Sequence, residues 1–108
     1  MAINQNEQNI MCKAAYTEAN GLVSNENPLY TKRLRTCNAT VSAYESILGV
    51  VFVLKSYRTI VAMVDENGRK YDFLRYVYGY TATSAQHINK FFKDYGNDFT
   101  PAYTYRND

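Results

Sequence analysis

The chain has no tryptophan, one histidine, two cysteines, two prolines and five glycines. Each shortage removes a class of chemistry. His87 stands alone, and two distant cysteines do not complete a zinc set around it. Cys12 and Cys37 fit neither a zinc-finger nor a CxxC redox spacing. They read as two reduced thiols packed in the interior, as unpaired cysteine commonly is. One disulfide between them is the alternative, for which no secretion signal argues. The glycines are isolated, so no glycine-rich loop exists to cradle a phosphate. There is no Ser-centred elbow and no paired-acid spacing. Carboxylates are scattered over Asp65, Glu66, Asp72 and Asp94, and turn preference explains the Asp65–Glu66 pair better than acid–base work does. A nucleophile pair of Cys37 and His87 has no further support, and His87 reads as a structural residue near a helix start. No catalytic residue, metal or cofactor is expected.

Long apolar runs are missing too. The longest, Ile47–Leu54, is far short of the ~20 residues a membrane helix needs. Met1–Asn9 is polar and lacks the basic and apolar regions of a signal peptide. Charge of one sign is also lacking. Twelve basic residues face ten acidic ones, a net charge of +2, which is too balanced for a dedicated nucleic-acid binder.

What is present is the composition of one globular domain: 108 residues, 46% hydrophobic and 20% charged. Tyrosine is abundant, with eleven copies. Its apolar ring and polar tip suit both pleated sheets and interfaces.

The periodicities predict a helix over residues 4–20, with Ile10, Met11, Ala14, Ala15, Ala19 and Leu22 at three- and four-residue steps and Gly21 as its C′ residue. Val23–Pro28 is a turn. Leu29–Cys37 reads as a short second helix whose exposed face carries Lys32, Arg33 and Arg35, the densest basic cluster in the chain. Thr40–Ser46 reads as a first strand or an extended lead-in. Val50–Leu54 and Thr59–Val64 are continuous β-branched and aromatic runs, hence strands. Asp65-Glu66-Asn67-Gly68 is a hairpin signal. Arg69–Tyr78 reads as a third strand with a bulge near Leu74. Thr83–Tyr95 is an amphipathic helix with a Thr83/Gln86 capping box, a stripe of Ala85, Ile88, Phe91, Phe92 and Tyr95, and Gly96 at C′. Its opposite face carries Gln86, Asn89, Lys90 and Lys93. Residues 99–108 read as a loose tail.

The fold class that follows is α+β: a three-stranded antiparallel sheet, four-stranded if Thr40–Ser46 joins it, with a helix at each end of the chain. The two central strands are apolar at both parities, so both sheet faces need cover. The C-terminal helix covers one face, and the N-terminal helix or a partner subunit covers the other.

Binding is the function class left standing. A protein partner would meet the tyrosine-rich third strand as a sheet edge, at Arg69, Lys70, Tyr71, Arg75, Tyr76 and Tyr78. Lys90 and Lys93 on the helix, and Lys32, Arg33 and Arg35, are two further candidate surfaces, and homodimerisation fits the same logic. The alternative is nucleic acid. The strand order resembles that of AP2-type integrase-arm DNA-binding domains, in which Arg58, Arg69, Lys70 and Arg75 would touch DNA with Tyr57, Tyr71 and Tyr76 between them. Central strands that are apolar on both sides conflict with an open reading face. Double-stranded RNA-binding domains share the element order, but the last helix here has no lysine-rich start.

Two segments, Leu54-Lys55-Ser56-Tyr57-Arg58-Thr59-Ile60-Val61-Ala62 and Tyr80-Thr81-Ala82-Thr83-Ser84-Ala85-Gln86-His87-Ile88-Asn89-Lys90-Phe91, resemble a group of small uncharacterised proteins of phages and mobile elements in Gram-positive bacteria. The resemblance implies a cytoplasmic accessory protein of a bacterial host. Such a protein binds DNA, or binds and blocks a host protein, CRISPR effectors included.

Overall fold

The computed structural model describes residues 5–34, 39–56, 59–73, 82–97 and 102–104. The elements are α1 (Gln5–Asn25), β1 (Tyr30–Arg33), β2 (Ala39–Ser46), β3 (Gly49–Ser56), β4 (Thr59–Val64), β5 (Lys70–Asp72), α2 (Ala82–Tyr95) and β6 (Ala102–Thr104). The strands form one sheet in the order β1-β2-β3-β4-β5-β6. The first five run antiparallel in chain order. β6 joins β5 in parallel, so α2 is the crossover between them. The α+β class with a helix toward each end of the chain is thus as expected, on a larger sheet.

Two-sided cover of the central strands is realised within the chain. α1 packs on one face, where Cys12, Ala15 and Ala19 meet Tyr44, Val51, Val53, Ile60, Met63, Tyr71 and Phe73. α2 packs on the other, where Ile88 and Phe91 meet Leu34, Ala39, Val41, Leu54, Val61, Ala62 and Val64. The registers of β3 and β4 shift between Leu54 and Lys55, leaving Val61 as an extra residue in β4. That bulge puts Val61 and Ala62 into the same α2-side cluster and returns Ile60 and Met63 to the α1 side. The bulge expected near Leu74 falls outside the described residues.

Several sequence expectations are corrected. Residues 29–37 are not a helix: Tyr30–Arg33 is a strand, paired Tyr30↔Ala43 through Arg33↔Thr40. The helical period there was short and weak, and Pro28 precedes two good strand formers, Tyr30 and Thr31. The supposed tail contributes Ala102–Thr104 to the sheet, because β5 offers an open edge on that side. Gly21 does not end α1, which continues to Asn25. Leu22 and Val23 beyond it pack on the core, and that burial outweighs the ~1 kcal/mol a helical glycine costs. The buried stripe of α1 is Cys12/Ala15/Ala19, while Ile10 is exposed. Cys12 is a buried thiol whose Sγ lies 3.5 Å from the Asp72 carbonyl oxygen, and Cys37 is outside the described residues.

The β4–β5 turn is tied down twice. The Gly68 N–H donates to the Asp65 carbonyl and the Asp65 N–H to that of Arg69, each at 3.0 Å, so Glu66–Gly68 is a three-residue loop. Gly68 takes φ +79°, and the Asn97 N–H donates to its carbonyl at 3.0 Å. A Cβ on Gly68 would stand 2.6 Å from the Asn97 Cβ, so this turn and the end of α2 fit together only with glycine there. Gly96 has no positive φ, contrary to its expected left-handed C′ role. A Cβ there would stand 2.7 Å from both the Lys70 side chain and the Phe92 carbonyl oxygen, which accepts from the Gly96 N–H. Ile88, Phe91, Phe92 and Tyr95 of the predicted α2 stripe pack on the sheet, and the helix begins at Ala82 rather than Thr83.

Candidate docking surface at the first edge of the sheet

Of the residues expected to form a tyrosine-rich edge, Lys70 and Tyr71 lie on a strand that is not one. β5 is flanked by β4 and β6. Tyr71 is buried rather than offered as an anchor, and its hydroxyl donates to Asp65 Oδ2 at 3.1 Å. Burial, first of all, and then the Asp65 charge push that hydroxyl's pKa well above the ordinary tyrosine range. Asp65 Oδ1 accepts from the N–H groups of Asn67 and Arg69 at 3.0 and 2.9 Å. The Asp65 carboxylate therefore holds the turn together, as turn preference implied. Arg69 is exposed on that turn and Lys70 lies against Gly96. Arg75, Tyr76 and Tyr78 fall outside the described residues, as does Arg35.

The other two basic surfaces are exposed. Lys90 and Lys93 project from α2. Lys32 and Arg33 lie on β1, which is exposed at all four positions and forms the outer edge opposite β6. The Lys32 ammonium sits 5.8 Å from the Tyr30 ring centre and 5.7 Å from that of Tyr95. Its hydrogen bond with the Tyr95 side chain, the largest cause, raises its pKa. The structure thus brings the basic edge of β1 onto the end of α2, where Tyr95 also stacks on Phe52 at 4.7 Å.

The notable surface is one the sequence reading passed over. β2 and β3 pair Ser46↔Gly49, so only Ile47 and Leu48 make the turn between them. Two-residue hairpin turns favour asparagine, aspartate and glycine. Here two large aliphatics occupy both positions, with Ile47 103% and Leu48 77% exposed. Leu29 and Val50 are exposed beside them. Together with Glu45, Ser46 and Gly49 these four line an open cleft of about 510 Å³. The Ser46 hydroxyl beneath the turn is buried without a hydrogen-bond partner among the described residues. The signal was in the sequence as Ser46-Ile47-Leu48-Gly49, but Ile47 and Leu48 read only as the start of the longest apolar run.

A second open cleft, of about 330 Å³, lies between α1 and the β4–β5 turn, lined by Met11, Glu18, Met63, Asp65, Glu66 and Tyr71 among others. Partial burial and the nearby Glu66 and Asp65 raise the Glu18 carboxyl's pKa. On the α2 side of the sheet, buried His87 places Nδ1 3.3 Å from the Ser56 hydroxyl. Among the described residues no group of three or more His, Cys, Asp or Glu is arranged to hold a metal, and no helix is long and apolar enough to cross a membrane.

Comparison with curated proteins found no match, and neither did comparison with solved structures. A family model does match, over residues 2–104. The chain belongs to that family, described as a family of unknown function (DUF8033).

Proposed function

We propose that this chain works by binding, and that it docks a protein partner through the β2–β3 hairpin tip and the adjoining β1 edge. The observation that carries this reading is the Ile47-Leu48 turn, two large aliphatics held in solvent where turn chemistry calls for small polar residues. A local rule broken with no gain to the fold is the mark of a site kept for function. Burying either side chain on a partner returns about 1.5–3 kcal/mol, enough for the pair to anchor an interface. Leu29 and Val50 widen the patch, and the cations of β1 give it a polar rim.

The role follows the sequence resemblance: a non-enzymatic cytoplasmic accessory protein of a phage or mobile element that binds and modulates a host or phage macromolecule, such as a component of a host defence system. DNA reading through an open sheet face is not favoured, because α1 and α2 occupy the two faces. The test is capture from a Gram-positive bacterial lysate by the native chain and by Leu48→Asp. The proposal expects captured proteins that the variant loses. It is sunk by a duplex-DNA shift at about 150 mM salt that Leu48→Asp leaves unchanged, with no protein lost.

A further inference from the structure

We infer that β1 receives, as an added strand, an extended acidic segment of the partner, running antiparallel to it. This rests on the docking reading above and names the partner's chemistry. The backbone supplies the first argument. The Leu34 N–H donates to the Ala39 carbonyl at 2.7 Å, and the same register pairs Lys32 with Val41 and Tyr30 with Ala43. Alternation in an antiparallel ladder then turns the N–H and C=O groups of Lys32 and Tyr30 inward and those of Thr31 and Arg33 outward. The Thr31 and Ser42 hydroxyls meet at 2.9 Å, as expected across a pair that shares no backbone hydrogen bonds. Among the described residues no strand pairs on the outer side of β1. It is therefore an open template for one more strand.

Charge selects the occupant. Neighbouring side chains of a strand point to opposite faces, so Lys32 and Arg33 put a cation on each face at one end of β1. The other end carries the aliphatics Leu29, Ile47, Leu48 and Val50, with Glu45 as its one charged residue. A second copy paired antiparallel over the whole strand would set Leu29 opposite Arg33 and Tyr30 opposite Lys32, and so bring no anion to either cation. A foreign strand running antiparallel enters at Arg33 and leaves at Leu29. Acidic residues in its first half would meet the two cations, and aliphatic residues in its second half would reach the hairpin tip.

The test pans a displayed library of random peptides of about ten residues on the intact chain, at about 150 mM salt. The expected consensus has Asp or Glu followed by Val, Ile, Leu or Phe. A synthetic peptide of that consensus then binds the native chain. Thr31→Pro, which deletes one outward N–H and no inward one, weakens it about tenfold or more, and so does Arg33→Glu. Arg33 is exposed, so if Thr31→Pro fails to fold, the charge reversal decides. The inference is overturned by no enrichment over an albumin-coated control, by a consensus without acids, by full binding to both variants, or by a dimer that Thr31→Pro dissolves. If Leu48→Asp abolishes peptide binding while Thr31→Pro and Arg33→Glu keep it, docking at the tip stands and strand addition falls. If all three variants bind fully, both readings fall.

Discussion

His87 shows how a single residue can be chemically suggestive and structurally explained. It sits buried on α2 with Nδ1 near the Ser56 hydroxyl. Burial, and secondarily the Lys90 charge, lower its pKa below the ordinary 6.5. The folded state therefore binds this proton less readily than the unfolded state does. Stability is fully present above about pH 6.5 and is lost as pH falls toward the folded pKa. Glu18 works in the opposite direction, because its raised pKa makes the folded state gain stability as pH falls. Urea denaturation of the native chain and of His87→Gln, followed from pH 7.5 to 5, separates the two. The native chain should lose stability relative to the variant across that range, and parallel curves would refute the assignment. Cys12 was legible at this scale as a packing thiol. The Ile47-Leu48 turn was not, because hydrophobicity alone cannot tell a turn that exposes its side chains from a strand that buries them.

At the scale of the elements, legibility followed the range of the forces. β3, β4 and α2 carry their signal in their own residues, as β-branched runs and a five-membered apolar stripe, and all three form where expected. β1 and β6 are short and owe their conformation to the strand beside them, β2 and β5, so no local pattern announces them. The same holds in reverse for Gly21. Its residue type says stop, but Leu22 and Val23 still have core to cover, so α1 runs on to Asn25. That leaves a helical glycine with nothing within 4 Å of its missing Cβ. Gly21→Ala should therefore stabilise the protein by about 0.5–1 kcal/mol, a gain of a few degrees in Tm. A loss in calorimetry would mean that this position carries a constraint other than helix propensity.

The molecule as a whole is a sheet that separates two cores. Phe73 is buried in the α1-side cluster and Phe91 in the α2-side one. The two clusters share the backbone of β3 and β4 but not side-chain contacts, so substitutions in them should act independently. Phe73→Leu and Phe91→Leu should each destabilise the fold by about 1 kcal/mol or more, and their sum should match the double variant within about 0.5 kcal/mol. A larger mismatch in denaturant titrations would show that the bulge at Val61 couples the two faces. The two-sided architecture was readable from strands apolar at both parities. The proposed docking surface was only half readable. With a helix on each face, the edge and the turns remain exposed; the sequence reading had Lys32 and Arg33 in view there but not Leu29, Ile47, Leu48 and Val50.

The parallel pairing of β6 with β5 also fixes an order of events. The antiparallel strands β1 to β5 are neighbours in the chain and can zip as they emerge, since each closes only a short loop. β6 must wait for the whole of α2 to cross over. α1 packs on β6 as well as on β4 and β5, so the first helix reaches its full seat only after the last strand has arrived. Until then α1 is held by its contacts with β4 and β5.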